Sequence, residues 1–258
     1  MSKDQSGSKV VLVTGGTRGI GRAIADKFLT LGYRVVITSR SQEQADLAAA
    51  ELGRDAWGIG AHVLDEEAAE ACVDRVVNEW GSLDVLVNNA GTNPAFGPLT
   101  TVSHDQFTKT MDTNVWAPLM WSSLAWTASM QERGGVIVNN ASVGAFLVGA
   151  DIGVYHASKA ALVHLTRHLA HELAPRVRVN AVAPGLIRTR MSEALWRDGD
   201  GDVIGATPLN RLGEPRDVAE LVTFLAGEGS SWITGETIVV DGGQLLGPAT
   251  TDPEVNHD

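Results

Sequence analysis

Tyr155 and Lys159 stand four residues apart in the stretch YHASK. Positions i and i+4 of a helix lie on one face, so a phenol and an ammonium would share a small volume. The ammonium favours the phenolate and lowers the pKa of the phenol from its reference of about 10. Such a phenol can exchange a proton with a substrate oxygen near neutral pH. This pair predicts a general acid–base site, although two residues alone fit an ordinary surface helix pair equally well.

A second candidate site is the turn TGGTRGIG at residues 14–21, which follows the apolar run VVLVT and precedes the helical pattern AIADKFLTLGY. Glycines let the backbone approach a pyrophosphate, and a helix N-terminus supplies N–H donors and partial positive charge. A strand, a glycine-rich turn and a helix start are together typical of a dinucleotide phosphate site. The predicted phosphate-binding residues are Gly15, Thr17, Arg18, Gly19, Ile20 and Gly21.

Short apolar runs alternate with amphipathic stretches along the chain. The runs predict strands near 9–14, 34–38, 56–61, 84–88, 135–140, 177–181 and 237–240. The stretches predict helices near 19–31, 41–52, 66–80, 104–131, 154–173 and 215–226. Strict alternation of strands and helices indicates a parallel sheet with right-handed crossovers. The predicted fold class is α/β, a Rossmann-like doubly wound parallel sheet of about seven strands with helices on both faces.

The chain is expected to form one dinucleotide-binding and catalytic domain over residues 1–258. The connection 186–213 is longer than most loops, and such connections are often lids or binding loops. The ends, 1–8 and 247–258, are polar and lack apolar periodicity, which predicts flexible segments.

Six motifs occur in an order that resembles the short-chain dehydrogenase/reductase family over about residues 9–243. They are TGGTRGIG at 14–21, NNAG at 88–91, Asn114 in NVWAP, Ser142 after VIVNNA, YHASK at 155–159 and RVNAVAPG at 178–185. The resemblance implies hydride transfer between a nicotinamide cofactor and a carbonyl or secondary alcohol.

The resemblance also implies roles for four side chains. Tyr155 would donate or accept the proton, and Lys159 would lower its pKa and hold the nicotinamide ribose. Ser142 would hydrogen-bond the substrate oxygen, and Asn114 would anchor a water chain that relays protons to Lys159.

The cofactor preference is read from the end of the second strand, where VVIT runs into Ser39 and Arg40. NAD sites usually carry a carboxylate there for the ribose hydroxyls, whereas an arginine suits a 2′-phosphate. No carboxylate stands at 38–40, and Arg18 supplies a second guanidinium. The sequence therefore predicts NADP(H) over NAD(H), the alternative being two solvated arginines.

Other cofactor contacts follow from the resemblance. His62 and Val63 replace the Asp-Val pair that commonly meets adenine, while Asp65 is expected to be an N-cap. Small residues after the fourth strand would let backbone approach the cofactor, in the stretch Asn88, Asn89, Ala90 and Gly91. The nicotinamide would be covered by the segment containing Pro184, Gly185, Ile187 and Thr189.

The predicted substrate pocket has a largely apolar rim. Its members would be Phe96, Phe146, Leu147, Met191, Leu195 and Trp196. The motifs leave open a 3-oxoacyl thioester reductase and a carbonyl reductase or alcohol dehydrogenase for small or cyclic ketones. A non-catalytic NADP(H)-binding sensor or scaffold on the same fold is the alternative, and it would not need the full Ser, Tyr, Lys and Asn set.

Composition excludes several classes of function. The net charge of −11 disfavours nucleic-acid and anionic-membrane surfaces. Cys72 is the single cysteine, which predicts a buried thiol in a reducing, cytoplasmic protein. No apolar run is long enough for a membrane span, and residues 1–8 lack a secretory h-region. The histidine spacing predicts no metal site, and His156 is expected to lie away from the chemistry, about 100° round the helix from Tyr155.

A homo-oligomer is also expected, most simply a tetramer. The helical stretches 104–131 and 154–173 carry apolar residues that suggest more than one packed face, including Trp121, Trp126, Leu162 and Leu169. In relatives these helices pack against their copies across a two-fold axis, and ITGETIVVDGGQLLG resembles a second contact region.

Overall fold

The computed structural model describes residues 8–193, 196 and 207–248. Seven parallel strands form one sheet: β1 (Val10–Val13), β2 (Arg34–Ser39), β3 (Ala56–Gly60), β4 (Val85–Asn88), β5 (Gly135–Asn140), β6 (Val177–Pro184) and β7 (Thr237–Val240). Their order is β3-β2-β1-β4-β5-β6-β7. The strand order reverses between β1 and β4, and a crevice opens at the carboxyl ends of such strands.

Helices cover both faces of the sheet. They are α1 (Gly19–Thr30), α2 (Gln42–Leu52), α3 (Glu66–Trp80), α4 (His104–Met111), α5 (Ala117–Ala125), α6 (Gln131–Arg133), α7 (Gly153–Leu173) and α8 (Pro215–Ala226). The Rossmann-like doubly wound fold predicted from the sequence is confirmed.

The strands are apolar throughout because two cores enclose the sheet. Val10 and Leu12 of β1 belong to one core, together with Trp121. Val11 and Val13 belong to the other core, on the opposite face. Successive side chains of a strand alternate between faces, so both must be apolar when helices cover both.

The predicted helix over 104–131 is divided by two π-helical turns, Asp112–Trp116 and Trp126–Met130. In the first turn the Ala117 N–H donates to the Asp112 carbonyl, five residues back. Hydrophobic periodicity cannot reveal one extra residue in a turn, and such turns are frequent at functional sites. Asn114 lies inside the first one and is fully buried.

Several local predictions are confirmed. Asp65 caps α3 by accepting a hydrogen bond from the Ala68 N–H at 3.0 Å. Cys72 is a buried free thiol, and burial raises its pKa to about 12. No helix among the described residues is long and apolar enough to cross a membrane.

The prediction that the helical stretches 104–131 and 154–173 keep a second apolar face free for another subunit is wrong for three of the residues named for it. Trp121, Leu162 and Leu169 are buried within the protomer, since each is less than 10% exposed. They pack in the chain's own core and are not free for a subunit contact. The exposed large apolar residues of the 104–131 stretch are Phe107 and Trp116.

Candidate active site

The glycine-rich turn between β1 and α1 forms a cradle of backbone. Gly15 and Gly19 have φ values of 64° and 56°, in the left-handed region that favours glycine. A Cβ added to Gly21 would lie 2.4 Å from the Asn89 Nδ2 atom, so a side chain cannot fit there. No side chain caps the first turn of α1, and that turn holds no acidic residue. Its free N–H groups can therefore bind an anion, and this donor set fits a dinucleotide pyrophosphate.

Asn89 joins the end of β4 to this turn. Its amide nitrogen donates to the carbonyls of Thr14 and Gly15, at 2.9 and 3.2 Å. The Thr14 hydroxyl accepts hydrogen bonds from the backbone N–H groups of Asn89 and Ala90. These bonds fix the position of the loop after β1 relative to the loop after β4. Thr14 is not among the predicted site residues, although it ends the apolar run VVLVT and begins the TGGTRGIG motif.

Asn88 lies in the core, where its side-chain amide is bonded to other buried residues. It is buried, and its amide nitrogen donates to Pro118, Ser122 and Asn139. The next three residues, Asn89, Ala90 and Gly91, are only partly buried and follow the strand end.

Two unpaired arginines lie where the ribose of a dinucleotide is expected. Arg18 and Arg40 are exposed, and neither makes an ion pair or side-chain hydrogen bond with any residue that the structure describes. Thr38 links this end of β2 to the cradle, because its carbonyl accepts from Gly16 N–H and its hydroxyl accepts from Gly15 N–H, both at 3.3 Å. Ser39 is buried beside it.

The predicted adenine end lies after β3. His62 is exposed, and its Nδ1 accepts a hydrogen bond from the Leu64 N–H at 3.2 Å. The Val63 carbonyl accepts from the Trp121 indole at 3.1 Å. The imidazole is therefore held to its own backbone through Nδ1, while the rest of the side chain is exposed.

Tyr155, Lys159 and Ser142 come together between α7 and the end of β5. Lys159 is 4% exposed, and its Nζ donates to the Asn140 carbonyl at 2.6 Å. The Nζ atom lies 5.7 Å from the centre of the Tyr155 ring. The Tyr155 phenol interacts with the Ser142 side chain, which opposes the rise in the phenol pKa, and Tyr155 as a whole residue is partly exposed. The four-residue spacing thus places both groups of the pair on the inward face of α7.

Burial dominates the protonation of this pair. Burial raises the pKa of Tyr155, and the hydrogen bond with Ser142 only partly opposes that rise. Burial also lowers the pKa of Lys159 to about 8. The expectation that Lys159 lowers the phenol pKa is therefore wrong for the protein residues alone. Withdrawal from water favours both neutral forms, and the ammonium bonds the Asn140 carbonyl and not the phenol.

Asn114 is held by three hydrogen bonds. Its side-chain oxygen accepts from the Thr92 N–H at 2.9 Å, and its Nδ2 donates to the Thr92 carbonyl and the Ser158 hydroxyl. Ser158 in turn donates to the Tyr155 carbonyl at 2.7 Å. Asn114 and Lys159 flank Gly91, where an added Cβ would lie 3.4 Å from the Asn114 side-chain oxygen and 3.6 Å from the Lys159 Nζ. Ser158 lies inside the YHASK motif and Thr92 directly follows NNAG, and these positions are the only signal that the sequence gives for them.

The segment after β6 lies close to the glycine-rich turn. A Cβ added to Gly19 would lie 3.5 Å from the Thr189 methyl group. Pro184 and Gly185 pair with the end of β7, where Gly185 N–H donates to the Val240 carbonyl at 3.0 Å. Ile187 is buried and bridges to Gly213, so both ends of the connection 186–213 are joined. Leu195 lies outside the described residues, as do the other lid residues of 194–195 and 197–206.

Three of the predicted rim residues, Phe96, Phe146 and Met191, are each at least half exposed. Leu147 and Trp196 are partly exposed. The Arg188 guanidinium lies over the Trp196 ring, with the Arg188 Cζ atom 4.9 Å from the ring centre. Across the described ranges, no group of three or more His, Cys, Asp and Glu side chains could hold a metal ion.

A doubly wound sheet, a glycine cradle at its switch point and a buried Tyr–Lys pair together define a nicotinamide-dependent oxidoreductase. A family model described as enoyl-(acyl carrier protein) reductase matches residues 15–244. The chain belongs to the short-chain dehydrogenase/reductase family, and it is an NAD(P)-dependent oxidoreductase, as predicted.

Relatives and solved structures cover nearly the whole chain. Dehydrogenase/reductase SDR family member 4 of Homo sapiens is 42% identical over 247 residues, which are 93% of this chain and 89% of the relative. The Caenorhabditis elegans protein of that name is 41% identical over 246 residues, covering 91% and 94%.

A glucose/ribitol dehydrogenase structure from Brucella melitensis aligns with a TM-score of 0.87 at 35% identity, covering 92% of this chain and 96% of that one. The structure of ElxO with NADP bound aligns with a TM-score of 0.86 at 32% identity, covering 93% and 100%.

Proposed function

We propose that this protein is an NADP(H)-dependent reductase that interconverts a ketone and a secondary alcohol. The observation that carries the proposal is the convergence of Ser142, Tyr155 and Lys159 beside the end of β5, next to the crevice of the glycine cradle. A sensor or scaffold would have no use for a buried lysine beside a phenol. Maintaining that lysine away from water costs free energy, which a catalytic role explains.

In the proposed reduction, Tyr155 donates its phenolic proton to the substrate oxygen, and Ser142 donates a hydrogen bond to the same oxygen. The nicotinamide, when bound, would supply the hydride to the carbonyl carbon, so that a C=O group would become CH–OH. Lys159 then returns the proton to the phenol through water anchored near Asn114. Lys159 would also hold the nicotinamide ribose, while Ile187 and Thr189 would contact the carboxamide.

The protonation of the site favours the reductive direction at neutral pH. Because burial raises the pKa of Tyr155, the phenol carries its proton at pH 7 and can act as an acid. Oxidation would need the phenolate, so we expect it to become faster relative to reduction as the pH rises.

The cofactor would lie across the crevice from β1 to β6. Its pyrophosphate would meet the α1 N-terminus at residues 15–21, and its adenine would meet His62 and Val63. The guanidiniums of Arg18 and Arg40, which have no ion-pair partner among the described residues, would bind the 2′-phosphate. The similar structure of ElxO contains bound NADP, which supports an NADP(H) site in this chain.

Substitution of Arg40 by aspartate should move the preference towards NADH. The change removes a charge-assisted hydrogen bond, worth about 1.5–3 kcal/mol, and places a negative charge beside the phosphate. The ratio of kcat/KM for NADPH to that for NADH should fall at least about tenfold. Arg54→Asp is the matched control, since Arg54 is exposed at the opposite end of the sheet, before β3. A parent enzyme that already prefers NADH would contradict the assignment.

Substrate class is tested directly by NADPH oxidation followed at its absorbance. The panel should contain a cyclic ketone, an aromatic ketone, a 3-oxoacyl thioester and, because of the matched family model, a 2-enoyl thioester. The apolar rim of Phe96, Phe146 and Met191 favours the uncharged ketones. Binding of NADPH without turnover of any member would support the sensor alternative.

The proposed assembly is a homotetramer. The proposed compartment is the cytoplasm, where Cys72 would stay reduced. Trp232 and Leu246 are 100% and 86% exposed beside the edge strand β7, and Val239 of that strand is 37% exposed. Large exposed apolar groups at a sheet edge are costly unless another chain covers them.

Light scattering should give about 109 kDa, four times the chain mass of 27.3 kDa. Leu246→Asp should lower this mass by placing a charge in the contact, whereas Leu47→Asp, at an exposed site on α2, should not. A monomer for the parent protein at micromolar concentration would refute the proposal.

A further inference from the structure

The loop after β5 links the predicted catalytic serine to the substrate rim. Ser142 begins a short 3₁₀ turn, Val143–Ala145, and the Gly144 N–H donates to the Ser142 Oγ at 3.0 Å. Phe146 and Leu147 follow directly and belong to the rim. Any group that holds this turn therefore acts on both the serine hydroxyl and the pocket wall.

The His156 imidazole fills the space beneath this loop. A Cβ added to Gly144 would lie 2.4 Å from His156 Cδ2, and its three nearest atoms would all belong to that ring. A Cβ added to Gly149 would lie 3.1 Å from His156 Cε1. Gly144 and Gly149, near the start and at the end of this loop, thus both lie against one imidazole.

We propose that His156 is a positioning residue for substrate binding, which rests on the function proposed above. Its ring supports the 144–149 loop from below, so that Ser142 keeps its orientation and Phe146 and Leu147 keep the pocket wall in place. The ring centre lies 6.1 Å from that of Tyr155, and the imidazole lies against Gly144 and Gly149 of the loop. His156 therefore acts through the loop and takes no part in proton transfer.

The first test separates substrate binding from cofactor binding. His156→Ala should lower kcat/KM for the best ketone about tenfold, mainly through a higher KM, because the pocket wall loosens. The Kd for NADPH should stay within about twofold, since the predicted cofactor contacts lie on other loops. Asn or Gln at 156 should restore part of the loss, because each places a donor near one ring nitrogen. The control is His171→Ala, an exposed histidine on the same helix.

A double-mutant cycle supplies the second test. Gly144→Ala should impair the parent about as much as His156→Ala does, since its methyl group collides with the ring. In the His156→Ala background the same change should cost less than twofold, because the space is then free. Additive effects of the two changes, or a kcat/KM of His156→Ala within twofold of the parent, would overturn the proposal.

Amide hydrogen exchange separates this proposal from the function on which it rests. His156→Ala should speed exchange over residues 143–149 whether or not a substrate is known. If the parent turns over no ketone but the variant shows faster exchange, the proposed function fails while the support of the loop by His156 stands. Unchanged exchange in this segment would overturn the role of His156 even in an active reductase.

Discussion

Replacing Tyr155 with phenylalanine should abolish turnover and leave NADPH binding nearly intact. The change removes the proton that the substrate oxygen receives, and with it the hydrogen bond to Ser142, while almost no volume is lost. General acid–base groups contribute roughly 10² to 10⁴ in rate, so kcat should fall by that factor. Steady-state kinetics with the best ketone and a fluorescence titration with NADPH measure the two quantities separately.

Tyr33→Phe is the matched control, because Tyr33 is the other tyrosine of the chain. It packs edge-on against Phe28, with ring centres 4.9 Å apart, in the core on the face of the sheet opposite to that of α7. Its loss of a hydroxyl should leave kcat unchanged. A Tyr155→Phe variant that retains more than about a tenth of the parent kcat would rule out the assigned proton transfer.

Replacing Lys159 with methionine should damage both the rate and the cofactor affinity. The variant loses the 2.6 Å bond to the Asn140 carbonyl and the proton that would recharge the phenol. A lost charge-assisted hydrogen bond costs about 1.5–3 kcal/mol, so the Kd for NADPH should rise at least about tenfold. Lys109→Met, at an exposed site on α4, should change neither quantity. An unchanged Kd would argue against the proposed ribose contact.

The same variant has a pH-dependent effect on stability that does not depend on any substrate. Lys159 has a pKa of about 8 in the folded chain, against about 10.4 when unfolded. Between these values the unfolded state binds more protons, so the free energy of unfolding of the parent rises with pH across that window. The advantage of methionine over lysine should be greatest below pH 8.

That advantage should shrink by on the order of 3 kcal/mol as the pH approaches 10, since one pKa unit corresponds to about 1.36 kcal/mol. Urea unfolding of parent and variant at pH 7 and pH 9.5 measures the change. Lys109→Met should show no such dependence. A difference between parent and Lys159→Met that stays constant with pH would mean that Lys159 is not withdrawn from water as the structure shows.

The sequence by itself determined the fold and the location of the chemistry. Apolar runs such as VVLVT predict strands buried on both faces, and β1 does divide its side chains between two cores. The glycines of TGGTRGIG predict the turn from sequence because two of them adopt positive φ, and this backbone requirement is local. The spacing of Tyr155 and Lys159 is equally local, because helical geometry alone places them on one face.

Only the tertiary structure decided the protonation, the burial and the contacts of these groups. The direction of the Tyr155 and Lys159 pKa shifts depends on how much water the surrounding elements exclude, which no spacing reveals. The burial of Trp121 inside the protomer depends on packing between helices and sheet that are distant in sequence. The support of Gly144 by His156 joins two elements that the sequence keeps apart. Burial and contact are properties of the packed chain, and for that reason they could not be obtained from periodicity or from the order of the motifs.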